Sequence, residues 1–152
     1  MDWLWLALQE SWFGALVRQS VILYPAANIL HVLGVMGFFA LVAAMDLALL
    51  GVLAPAPPKR VIAVLRPFAL LLLALVAATG LVLFAPEAVA IAGNPAFQAK
   101  LVLLALGLAN VAANEWAVRE KGEESGLAQA TAGLSLIAWL AVAALGRLIA
   151  YV

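Results

Sequence analysis

The chain has 152 residues, 68% of them hydrophobic and 11% charged, with eight Lys and Arg balancing eight Asp and Glu. Soluble domains are roughly 45–50% apolar and about 25% charged, so a water-soluble globule is excluded and an integral membrane protein is implied. Charge balance leaves no basic field for holding nucleic acid through its phosphates, and the lack of cysteine removes disulfides, thiolate metal sites and redox thiols.

Residues 1–20 are expected to form a short amphipathic helix lying in the membrane interface. Trp5, Leu8, Trp12 and Leu16 recur at helical spacing, whereas Asp2, Gln9 and Glu10 fall off that stripe. A cleavable signal opens with basic residues and ends at a small-residue site, yet no Lys or Arg precedes Arg18 here. The segment is therefore expected to stay on the chain, as an anchor or as a surface on which Trp3, Trp5 and Trp12 dock a partner.

Four apolar stretches follow, each reaching the roughly 17 to 25 residues that cross about 30 Å of hydrocarbon. The first is predicted from about Pro25 to Leu50, ended by Gly51 and the Ala54–Pro58 segment. The second runs from about Val61 to Phe84, with Pro67 near its start, where a proline costs less than it does mid-helix. Asn94 caps the third, Pro95 opens it, and it extends to about Trp116 before the charged VREKGEESG segment. The fourth spans about Leu127 to Tyr151. The expected fold class is all-α, a four-transmembrane-helix bundle forming a single membrane domain over 1–152, preceded by the short interfacial amphipathic helix.

Lys59, Arg60 and Arg66 flank the first connection and Arg119 and Lys121 the third, while the APEAVAIAGNP connection carries no basic residue. The positive-inside rule then puts both termini outside, which in a bacterial inner (plasma) membrane is the periplasmic side. At about 1.5 Å per helical residue, His31, Thr79, Lys100 and Arg147 each lie about five or six residues below the outer end of their helix. Ionisable groups in a membrane usually face the bundle interior and mark a site, so the four are expected to share one in the outer half.

Each also has an ordinary role. Lys100 and Arg147 can snorkel to the headgroups, His31 can bond a carbonyl or Asn28 one turn earlier, and Thr79 can return its hydroxyl to its own helix. On the inner side, Asp46 and Arg66 flank one short connection and are expected to form a partly buried salt bridge, a weak sign of function. Gly107, Asn110, Asn114 and Glu115 mark an inner stripe of the third helix that packs on its neighbours.

One histidine, no cysteine, nearby cations and small residues together suit haem b. Imidazole is a standard axial ligand, Gly34 and Gly37 offer room for a flat macrocycle, and Lys100 or Arg147 can meet propionates. The candidate cofactor-binding set is thus His31 as iron ligand with Lys100, Arg147, Asn28, Thr79 and Gly34. A second axial ligand must be Lys100, one of Met1, Met36 and Met45, or a group from another chain, unless the iron stays five-coordinate.

The segments HVLGVMGFFALVAAMDLALLG, PFALLLLALVAATGLVLFAPEA and NPAFQAKLVLLALGLAN resemble an uncharacterised family of short bacterial four-helix membrane proteins, a domain of unknown function. A fainter similarity, confined to His31 and Lys100, points to haem-b membrane protoporphyrinogen oxidases and copper-resistance membrane proteins. It implies haem at His31, although the further histidines of such oxidases are missing here.

Broken helices with midplane polar sites, the marks of inverted-repeat transporters, are absent from the sequence. So are a P-loop, G-x-S-x-G and H-E-x-x-H. Two functional readings follow. The first is a membrane b-type haem protein handling electrons at the outer face. The second is a non-catalytic accessory or structural subunit of a larger membrane complex. Expected partners are the lipid bilayer and either a homo-oligomer or such a complex.

Overall fold

A computed structural model of the chain describes residues 2–53 and 57–149. Within them lie α1 (Asp2–Gln9), α2 (Trp12–Gln19), α3 (Leu23–Leu49), α4 (Pro58–Phe84), a 3₁₀ turn (Ala85–Glu87), α5 (Ala88–Gly93), α6 (Pro95–Lys121) and α7 (Gly126–Leu148). Four of these, α3, α4, α6 and α7, are long and apolar enough to cross a membrane. The chain is a multi-pass, all-α membrane protein.

Helix ends follow local capping chemistry. The Ser20 hydroxyl accepts the Leu23 N–H at 3.0 Å, so α3 starts two residues before Pro25, which then sits in the first turn where its missing N–H is no loss. Pro58 occupies the first position of α4, lengthening that helix by about a turn over the expected Val61 start. Asn94 caps α6 by accepting from Ala96 N at 2.8 Å and Phe97 N at 3.3 Å. That helix continues past Trp116 through the charged residues to Lys121 and stops at Gly122, whose φ of +89° suits only glycine. Ser125 caps α7. The first span ends at Leu49, within a residue of the expected Leu50, and the expected Tyr151 end of the fourth lies outside the described residues.

The amino-terminal segment departs from a single helix. Ser11 interrupts it, capping α2 by accepting the Gly14 N–H at 3.1 Å, and a Cβ on Gly14 would collide with the Gln9 carbonyl. The break resets the helical phase. Trp5 and Leu8 turn inward on α1, but on α2 the inward residues are Phe13, Gly14 and Val17, while Trp12 and Leu16 are exposed. Rather than lying free in the interface, α1 and α2 rest on the 3₁₀ turn and α5. Val17, Ala85 and Ala88 are fully buried there. Gln9 Oε1 accepts the Val89 N–H at 3.2 Å, and Trp5 meets Phe84 edge-on at 5.5 Å. The segment is a cap over the α4–α6 connection.

Packing within the bundle makes two hairpins, α3 with α4 and α6 with α7, and α3 against α7 joins them. Their shared core is Phe38, Val42, Ala69, Trp139 and Val142. Phe38 and Trp139 meet edge-to-face at 4.7 Å, a geometry that contributes about 0.5–1.5 kcal/mol beyond area. Close backbone approach depends on small residues, as in membranes generally. A Cβ on Gly34 would stand 2.9 Å from Val76 Cγ2, one on Gly37 2.9 Å from Leu72 Cδ1, and one on Gly107 3.5 Å from the Trp139 ring.

The expected Asp46–Arg66 salt bridge does not form. Asp46 points from α3 toward α7, where it lies beside Ser135, is 6% exposed and leaves Oδ2 with no hydrogen-bond partner. Arg66 turns to α6 instead, its Nη1 standing 3.1 Å from Glu115 Oε1. The two residues adjoin one connection but occupy opposite helix faces, so proximity along the chain misleads. The polar stripe of α6 packs on α7 as expected. Asn110 Nδ2 donates to the Thr131 carbonyl at 2.9 Å, and Asn114 Nδ2 to Thr131 Oγ1 at 2.8 Å.

Two outcomes check this packing. Gly34→Leu should lower stability by about 2 kcal/mol through overpacking, whereas Gly133→Ala, with no atom within 4 Å of its added carbon, should cost nothing in the same detergent unfolding assay. Asp46→Asn should change stability by less than about 1 kcal/mol, since no ion pair is lost; a drop of about 3–5 kcal/mol would show a buried partner.

Candidate functional site: a histidine held across α3 and α4

His31 lies two turns into α3, on the face toward α4, and is half-buried. Its Nδ1 stands 3.0 Å from Thr79 Oγ1 of α4. Thr79 is 6% exposed, and its hydroxyl is already committed, donating to the Leu75 carbonyl at 2.7 Å with Val76 O at 3.2 Å. A hydroxyl has one proton. With that proton on the carbonyl, Thr79 can only accept from the ring, so Nδ1 carries the hydrogen and, in the neutral ring, Nε2 keeps its lone pair.

Gly80 makes this approach possible. A Cβ there would lie 3.2 Å from His31 Cε1, so the ring edge rests directly on the α4 backbone. Because the two ring nitrogens point in widely divergent directions, Nε2 faces away from Thr79. This is the arrangement of metal-binding histidines, whose second nitrogen is fixed by a donated hydrogen bond.

Lys100 of α6 repeats the device on the other hairpin. Its Nζ lies over Gly146 of α7, 3.2 Å from where a Cβ would be, and it is close enough to His31 to act on it electrostatically. The half of the bundle beside the α4–α6 connection therefore holds His31, Thr79 and Lys100, from three helices. Gly80 and Gly146, which seat the two long side chains, were not foreseen; the T-G and G-R pairs at 79–80 and 146–147 were their only trace in the sequence.

The remaining candidates are either exposed or taken up in helix packing. Asn28 is exposed on α3, and the ring takes Thr79 rather than Asn28 as its partner. Arg147 occupies an exposed face of α7. Gly34 and Gly37 do not leave room for a flat group, because Val76 and Leu72 of α4 fill the space in front of them. Met36 is 63% exposed, and Met45 packs on the core cluster about 21 Å along the helix from His31 at 1.5 Å per residue. Met1 lies outside the described residues. Of the second-ligand candidates among the described residues, Lys100 is the one that acts on His31.

Among the described residues no three His, Cys, Asp or Glu side chains converge to hold a metal ion. A bare ion thus has too few donors here, while a group that brings its own nitrogen donors needs one imidazole. Compared with protein-family models, curated proteins and solved structures, the chain finds no match.

The interhelical bond has a measurable value. Thr79→Val should remove the Thr79 contact from the His31 ring and lower stability by about 1 kcal/mol, and Thr79→Ser should restore most of it; no loss in the valine variant would show that the bond contributes nothing.

Proposed function

We propose that the chain is a b-type haem-binding protein of the bacterial inner membrane, with both termini periplasmic, that passes electrons near the outer face through a haem ligated by His31 Nε2. One observation carries the reading: the ring stands with Nδ1 on Thr79 Oγ1, and a neutral ring protonated at that nitrogen keeps its lone pair on Nε2 for a ligand. Haem supplies one-electron chemistry; the chain supplies the axial imidazole, its orientation, and an amine or propionate partner in Lys100.

Packing sets a condition on this reading. The α3–α4 seam does not fit a macrocycle, since Val76, Leu72 and the His31 ring itself fill the space before Gly34, Gly37 and Gly80. A single chain does not enclose the group there, so it belongs on the Nε2 side of the ring, shared with a second copy or a partner chain.

The same filled seam favours a second reading, that of a non-catalytic subunit whose His31–Thr79 bond only locks two helices. The exposed Trp3 and Trp12 on the cap, 74% and 78% accessible, then serve as docking contacts within a larger membrane complex.

Protein purified from haem-replete cells in mild detergent should show a Soret band that His31→Ala abolishes and Lys100→Ala shifts or weakens. A colourless, correctly folded preparation that migrates on native gels with a larger complex, and leaves it when Trp3 and Trp12 are replaced, would instead establish the subunit reading.

A further inference from the structure

At the end of the bundle that carries the α3–α4 and α6–α7 connections, α4 and α6 are bridged by side chains rather than by close backbone approach. Between them lies a half-open cavity of about 220 Å³. Its wall combines three cations, Lys59, Arg66 and Arg119, with a single carboxylate, Glu115, and the apolar side chains of Ile62 and Val118. Glu115 Oε1 accepts from both Arg66 Nη1 and Arg119 Nη2. One shared oxygen leaves most of the five N–H donors on each guanidinium unspent.

Lys59 binds Glu123 only through its backbone N–H, at 3.1 Å, and its ammonium pairs with no carboxylate among the described residues. The cavity is therefore net positive at the depth where apolar helix surface gives way to the charged connections. We propose that it holds the phosphate of an anionic phospholipid, with the acyl chains running along the α4–α6 seam.

Three features favour a lipid over a soluble phosphate. Guanidinium forks match phosphate oxygens bidentately. Ile62 and Val118 continue the wall into the exposed apolar faces of α4 and α6, among them Leu70 and Val111. Basic pockets between transmembrane helices at the headgroup level are the usual seats of anionic lipid. The proposal is independent of the haem reading, since the cavity lies at the opposite end of α4 from Thr79.

The test uses the full-length protein in a neutral detergent, with phosphatidylglycerol or phosphatidylcholine added and bound lipid counted by native mass spectrometry beside thermal unfolding. Phosphatidylglycerol should bind selectively and raise the unfolding temperature. The pair Lys59→Gln and Arg119→Gln, which spares Arg66–Glu115, should cut that selectivity roughly thirtyfold, from about 1 kcal/mol per cation. Arg60→Gln, a cation outside the cavity, should leave it unchanged. Equal binding of both lipids by the unmodified protein would overturn the proposal without need of any variant. Equal stabilisation by inorganic phosphate, or a selectivity that survives the double substitution, would overturn it as well.

Discussion

A hydrogen-bonded chain that runs from His31 Nδ1 through Thr79 Oγ1 to the Leu75 carbonyl ties α3 to α4 where the polar chemistry of the bundle gathers. In lipid, a polar group has no water to fall back on, so its partners are decided by the helices that reach it. The threonine hydroxyl has one proton and gives it to its own helix, which determines what the neighbouring ring must do. The tautomer, the ring orientation and the availability of Nε2 all follow from that commitment.

Small residues make the relay possible. Gly80 lets the imidazole lie on the α4 backbone, and Gly146 lets Lys100 lie on α7. Gly34 and Gly37 bring α3 and α4 together elsewhere along the same seam. His31 and Lys100 thus each rest on a glycine of the helix next to their own, and the hairpins converge through the apolar core around Phe38 and Trp139. The two ends of the bundle differ in kind. One is covered by α1, α2 and the α4–α6 connection; the other presents arginines and lysines around a cavity between α4 and α6.

Much of the fold was legible in the sequence because apolar length and capping residues report directly on backbone state. Asn94 and Pro95 marked the start of α6 and the four spans stood out by hydrophobicity. Helix ends were less legible where polar residues continue a helix, as Arg119 to Lys121 do, or where a proline pair opens one, as at Pro57 and Pro58. Facing was the harder quantity. The tryptophan stripe assumed unbroken phase, and Ser11 interrupts it; the Asp46–Arg66 pairing assumed that neighbours in sequence face one another, and each turns to a different helix. Of the site, the shared depth of His31, Thr79 and Lys100 could be read by counting residues. That Gly34 is packing rather than space could not, because a glycine looks the same whether its missing side chain is filled by a neighbour or by a ligand.

The central claim concerns one ring nitrogen, so the most direct measurement is nitrogen-15 NMR of protein labelled at histidine, in which His31 is the sole signal. The account predicts a neutral ring protonated at Nδ1, with Nε2 bare in the cofactor-free protein. Protonation at Nε2 with Nδ1 bare would contradict it, since the bond to Thr79 would then run the other way and no lone pair would remain to be ligated.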